Sequence, residues 1–185
     1  MNFLASREQL RASLIRWALI CIPACLLLGV LPGRIWTADS AWFAALEKPA
    51  IFPPTGWFAI VWSVLFVLMG FALALVGSAW GARGRGWAII AFAVQFALNL
   101  AWTPTFFGAY QLTGGLAVLI ALDLAVVVTA LLFWRVRKVA GLLMMPYLAW
   151  ILFATLLNYE FLRLNPAADG AGDGNGAAAR VRIGN

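Results

Sequence analysis

The sequence predicts an all-α membrane protein, a bundle of five transmembrane helices with a structured first loop. Three observations predict it. Apolar residues make up 64% of the chain and charged residues only 11%. The apolar residues gather into five runs, each long enough to cross the hydrocarbon layer. The basic residues fall between the runs, as the loop charges of membrane proteins do. One bundle is therefore the natural domain count, at about 14–165. The excess of 13 basic over 7 acidic side chains belongs to those loops and implies no nucleic acid.

Residues 1–13, with Arg7, Glu8 and Arg11, read as a short amphipathic lead-in. The first span runs over about 14–31 and is interrupted by Pro23, with Arg16 snorkelling from its start. A basic start before an apolar run also resembles a signal peptide, but no Ala-x-Ala site follows, so the segment reads as a span. Cys21 and Cys25 lie four apart inside it. They read as small buried apolar residues rather than a disulfide.

Residues 32–56 are too long for a simple connector. They hold Trp36, Trp42, Phe43 and the stiff run Glu47-Lys48-Pro49-Ala50-Ile51-Phe52-Pro53-Pro54. Two readings stand side by side here: a structured lid, or aromatics resting at headgroup level. The second span, 57–79, is uncharged, and as a helix it measures about 34 Å. The third covers about 87–107, the fourth 114–134 with Asp123 inside it, and the fifth 139–164. The Ala-, Gly- and Asp-rich stretch 166–185 is expected to be a disordered tail.

Five spans put the two ends of the chain on opposite sides. Arg7, Arg11, Arg16, Arg83, Arg85, Arg135, Arg137 and Lys138 collect on the N-terminal side, against Arg34, Lys48 and Arg163 near the membrane opposite. The positive-inside rule then places the N-terminus in the cytoplasm, most naturally of a bacterial cell membrane, and turns the aromatic loop outward.

With no His in the chain, imidazole ligation of zinc or haem iron and Ser-His or Cys-His catalysis are excluded. No phosphate loop or carboxylate pair is present, so no catalytic residue, metal site or obligatory cofactor is expected, and the balance leans away from an enzyme. Asp123 is either a functional proton or ion site, or a protonated group bonded to a neighbouring helix, and the second reading is favoured.

Aromatic stripes carry the rest. At 3.6 residues per turn Gln95, Asn99, Trp102 and Phe106 share one face of the third span, just where Pro104 can bend or end the helix. Tyr147, Trp150, Ala154 and Leu157 share a face of the fifth, with Asn158 adjoining. Trp62, Phe66 and Met69 share one of the second. Such stripes serve either helix packing and aromatic belts, or an internal pocket for a flat, mostly apolar ligand held by ring stacking and an indole N–H. Leu157, Tyr159 and Arg163 fit a short pattern proposed for cholesterol contact, and equally an interfacial Tyr and Arg at a helix end.

At these residues the chain resembles the tryptophan-rich sensory protein family, which includes the mitochondrial translocator protein, or peripheral benzodiazepine receptor. The resemblance covers about 42–165. Its pieces come in the family's order: Trp42-Phe43, Lys48-Pro49, Pro53-Pro54, Trp62, Met69-Gly70, Gln95 with 99–108, Pro146-Tyr147-Leu148-Ala149-Trp150, and Leu157-Asn158-Tyr159. It implies a five-helix bundle, usually a homodimer, that binds porphyrin or haem and in some members sterol. The ligand site implied lies under the first loop and involves Trp42, Trp62, Asn99, Trp102, Trp150, Ala154 and Leu157. The sterol segment maps to Leu157, Tyr159 and Arg163. The activities implied are transport, stress, oxygen or light sensing, and light-dependent porphyrin degradation. Three departures bear on this. Phe43 replaces a frequent Tyr, and Trp57 is displaced by one residue from the family's position. Gly114 stands where mammalian relatives have a drug-contacting Trp, so tight binding of those drugs is not expected.

Overall fold

A computed structural model describes residues 6–172. Helix α1 (Arg7–Ile35) is followed by a short helix α2 (Ala41–Ala45), then α3 (Thr55–Gly77) and α4 (Arg85–Thr103). A π-helical turn, Pro104–Gly108, extends α4. After it come α5 (Leu112–Val136), α6 (Lys138–Leu143), α7 (Met145–Leu164) and a 3₁₀ turn, Pro166–Ala168. Five of these segments are long and apolar enough to cross a membrane, α4 together with its π turn and α6 together with α7 each forming one span.

The first helix is longer than the hydrophobic run suggests. Residues Arg7 to Ser13, expected as a separate lead-in, are its first turns. They are started by a reciprocal cap in which Ser6 Oγ accepts from the Gln9 N–H (3.2 Å) and Gln9 Oε1 from the Ser6 N–H (2.9 Å). Neither Pro23 nor Pro32 ends it; prolines are tolerated in membrane helices when neighbouring helices support them. The loop accordingly begins after Ile35.

Helix α1 lies along α3, α4 along α5, α5 against α7, and α3 against α6. The α1–α3 contact is made close by small residues. A Cβ at Gly70 would stand 2.6 Å from the Cα of Ile22, and one at Gly29 would stand 2.3 Å from the Phe66 ring. Between membrane helices, where burying apolar surface gains nothing over lipid, such close approach is the main source of attraction.

Large apolar side chains point outward as well as inward. Leu19, Leu27 and Leu124 are each about 70% exposed, as expected of a surface that meets acyl chains. The interior holds Phe66, Met69, Phe92, Phe96, Phe133, Tyr147 and Ile151. A second cluster under α2 joins Trp42, Phe43 and Leu46 to Phe106, Leu112, Leu157 and Phe161.

The expected tail starts as ordered chain. The Trp42 indole donates to the carbonyl of Ala168 (3.0 Å). Asn165 exchanges hydrogen bonds with the backbone of Glu47, accepting at 2.8 Å and donating at 3.0 Å. Asp169 Oδ1 accepts from the N–H groups of Leu112 (2.6 Å) and Thr113 (3.1 Å), so it caps α5 from 57 positions away in sequence. Residues 165–172 thus form a strap across the loop and the α4–α5 turn. The remainder of the expected tail, 173–185, lies outside the described residues.

Candidate functional site: an aromatic chamber under the first loop

The π turn decides the shape of the site. Pro104 has no N–H to give to Leu100, so the α-helical ladder breaks there. The chain continues with the wider i→i+5 bond from the Ala109 N–H to the Pro104 carbonyl (2.8 Å). It then reverses at Tyr110, whose φ of 57° is left-handed. Phe106 and Phe107 are thereby turned toward α2, with their rings 4.8 Å apart. Phe43 from α2 meets Phe107 at 5.2 Å and Phe161 at 5.7 Å. These rings roof a cavity of about 570 Å³ among the helices, within the range of small-molecule sites.

Four tryptophans line the chamber: Trp36 just after α1, Trp62 from α3, Trp102 from α4 and Trp150 from α7. Trp62 stacks on Phe66 (5.3 Å, 27° between planes). Trp102 lies 5.1 Å from Phe106, and Trp150 meets Phe58 edge-on at 5.8 Å. Asn99, Ala154 and Leu157 also reach the chamber.

Hydrogen bonds hold the polar members in place. Asn99 Nδ2 donates to the Tyr147 hydroxyl (3.0 Å), which donates to Gln95 Oε1 (3.1 Å). The Trp102 indole donates to Asn158 Oδ1 (3.2 Å), and Asn158 Nδ2 donates to the Leu112 carbonyl (2.8 Å). These bonds fix the rings' orientation, although among the described residues the buried Gln95 Nε2 has no partner. Asp123 lies to one side and its Oδ2 accepts from the Thr155 hydroxyl (2.8 Å), a bond that joins α5 to α7.

Six of the seven proposed ligand residues therefore converge: Trp62, Asn99, Trp102, Trp150, Ala154 and Leu157. Trp42 does not line the chamber. It stands behind the roof, edge-on to Phe106 at 5.7 Å and to Tyr110 at 5.2 Å, because its N–H is drawn to the strap. Of the sterol segment only Leu157 faces inward. Tyr159 is half exposed, and Arg163 pairs with Glu160 at 2.6 Å on the surface.

The sequence reading passed over the wall that α1 supplies. Gly29, Pro32 and Gly33 line the chamber beside Arg34 and Trp36. The pair Gly29 and Gly33, four apart, was the available signal, since small residues at that spacing mark close helix contacts. Arg34 is the one basic residue among the described lining side chains. Lys48, in the loop between α2 and α3, is turned away. Its ammonium donates to the carbonyls of Phe43 and Leu46 and lies over the Phe43 ring at 4.0 Å. Its partial burial pulls its pKa below the usual lysine range. Among the described residues no group of three or more His, Cys, Asp or Glu could hold a metal.

Fold and site together define a multi-pass membrane protein with a tryptophan-walled internal chamber closed by its first loop. The chain belongs to the TspO/MBR family, whose model matches residues 21–164. It is 40% identical over 149 residues to the Tryptophan-rich protein TspO of Chlorobaculum tepidum, covering 80% of this chain and 94% of that one. It is 41% identical to Protein CrtK of Rhodobacter capsulatus, over 72% and 84% of the two chains. It is 37% identical to the Translocator protein of Homo sapiens, over 67% and 75%.

Proposed function

We propose that the protein binds a tetrapyrrole, porphyrin or haem, in the chamber and acts in its transport or in sensing it. One observation carries this reading. Indole rings from three separate spans converge on one partly open cavity, with Arg34 the one guanidinium among its described lining residues. Flat rings stack on such walls, and a cation beside them suits the carboxylates of a porphyrin. An open volume of this size is the opposite of what a purely structural bundle needs.

Replacing both Trp102 and Trp150 by alanine tests the reading. Removing two ring contacts of about 0.5–1.5 kcal/mol each should weaken protoporphyrin binding by roughly 5–150-fold. Quenching of the remaining tryptophan fluorescence reads the affinity. Wild-type affinity in a folded double variant would exclude this site.

A second reading is favoured by the same proximity. Trp62 or Trp102 beside an excited porphyrin can pass it an electron, leaving an indole radical cation and a porphyrin radical anion, and dissolved oxygen as the oxidant then consumes the ring in light-dependent degradation. Loss of the porphyrin absorption band under illumination, with and without each Trp, separates this from passive binding.

Sterol is a second ligand class, for the lipid-facing side of α7 where Tyr159 and Arg163 lie. We further infer a homodimer. Ala117 and Ala121, exposed on α5, offer the small-residue surface that such contact uses. The charge asymmetry supports a cytoplasmic N-terminus in a cell membrane.

A further inference from the structure

We propose that a recess at the N-terminal end of the bundle, at the opposite ends of the spans from the chamber, binds the phosphodiester headgroup of an anionic phospholipid. Gln9, Ser13 and Arg16, at positions i, i+4 and i+7 of α1, form one wall. Trp80, from the turn after α3, and Arg137, from the joint between α5 and α6, close it. Two guanidinium groups from different elements therefore enter one recess of about 440 Å³.

Neither arginine is committed elsewhere. Among the described residues the sole ion pair is Arg163 with Glu160, and Arg16 and Arg137 have no such partner. Arg85, close by, shows what commitment looks like. Its guanidinium donates twice to the Gly77 carbonyl (3.0 and 2.8 Å) and lies over the Trp80 ring at 4.2 Å. That contact holds Trp80 as a fixed wall and leaves the charge of Arg16 and Arg137 for a ligand. Among the described residues Glu8 is the one acidic residue on this end of the bundle, against Arg7, Arg11, Arg83, Arg135 and Lys138.

The level and lining of the recess select a lipid. Trp80 and Trp87 are each about 70% exposed, and Trp134 is 44% exposed. Exposed tryptophans gathered at one end of a bundle mark the headgroup layer. Leu10, half exposed, adds an apolar edge to the recess, which suits a glycerol and acyl stem and offers nothing to a free anion. Paired guanidinium groups suit the two free phosphate oxygens, and basic pockets between spans at this depth are a recurrent form of lipid recognition.

Native mass spectrometry of the full chain in detergent, titrated with phosphatidylglycerol, tests the assignment. Each basic residue near anionic lipid contributes enough for about a fivefold change in binding. R16Q alone should therefore weaken retention about fivefold, and R16Q with R137Q roughly thirtyfold. R83Q with R135Q removes the same charge outside the recess and should cost less than about threefold. Phosphatidylcholine should not be retained, and millimolar inorganic phosphate should not displace phosphatidylglycerol. Equal losses in the two double variants would reduce the effect to diffuse surface charge and overturn the proposal. Equal retention of phosphatidylcholine, or displacement by inorganic phosphate, would overturn it as well, the last by assigning a soluble anion to the recess.

Discussion

Substituting alanine for Gly70 tests whether the α1–α3 contact sets the shape of the chamber. The added Cβ would stand 2.6 Å from the Cα of Ile22 and 2.9 Å from the carbonyl oxygen of Cys21. Carbon atoms in contact prefer about 3.5–4.0 Å, so α1 must withdraw by roughly 1 Å. Both opposing atoms are backbone, and no rotamer change can absorb the overlap. Overpacking of this kind costs about 1–3 kcal/mol. For a chain of this size each kcal/mol moves the thermal midpoint by about 2–4 °C, so a fall of roughly 2–12 °C is expected. Helix α1 also carries Pro32 and Arg34 to the chamber wall, so porphyrin affinity should drop in the same variant. Gly33→Ala is the control, because nothing lies within 4 Å of a Cβ at that position. Thermal unfolding in detergent and fluorescence titration read the two effects. A G70A protein with the wild-type midpoint and wild-type affinity would refute the reasoning, as would G33A falling as far as G70A.

Trp42→Phe keeps a ring against Phe106 but removes the donor to the Ala168 carbonyl, at a cost of about 1 kcal/mol. Amide exchange across 36–54 should quicken about fivefold, and unchanged exchange would show that the strap does not hold the loop. Arg34→Gln should weaken dicarboxylate porphyrin binding by a few-fold at low salt and flatten its salt dependence. The dimethyl ester should bind both proteins alike; an equal loss for the ester would show that Arg34 acts by packing. Asn158→Leu leaves the Trp102 N–H and the Leu112 carbonyl without their partner, so stability should fall by about 1–3 kcal/mol, checked by the thermal midpoint.

The stripe Gln95, Asn99, Trp102 and Phe106 was legible because helical periodicity survives in membrane helices, and polar or indole groups stand out against an apolar background. The same logic found Trp62, Trp150, Ala154 and Leu157. Trp42, implied as a ligand residue by the resemblance alone, stands behind the roof instead, and nothing local reveals the carbonyl 126 residues away that claims its N–H. The same reading ended α1 at residue 31, where the apolar run stops, whereas the helix runs through Pro23 and Pro32 to Ile35. Nor could it foresee Asp169 as a cap. An Asp in an Ala- and Gly-rich stretch looks solvated until the fold brings the start of α5 to it.

The strap also sets an order of events during synthesis. The loop over the chamber is made early, but the groups that fasten it, Asn165 and the Ala168 carbonyl, follow 118 and 126 residues later. At 5–20 residues per second the ribosome needs roughly 6–25 s to reach them. Trp150, Ala154 and Leu157 of the chamber wall are themselves made just before these fasteners, so wall and latch are completed within roughly 0.5–2 s of each other, and an occupant must enter a chamber that is already strapped.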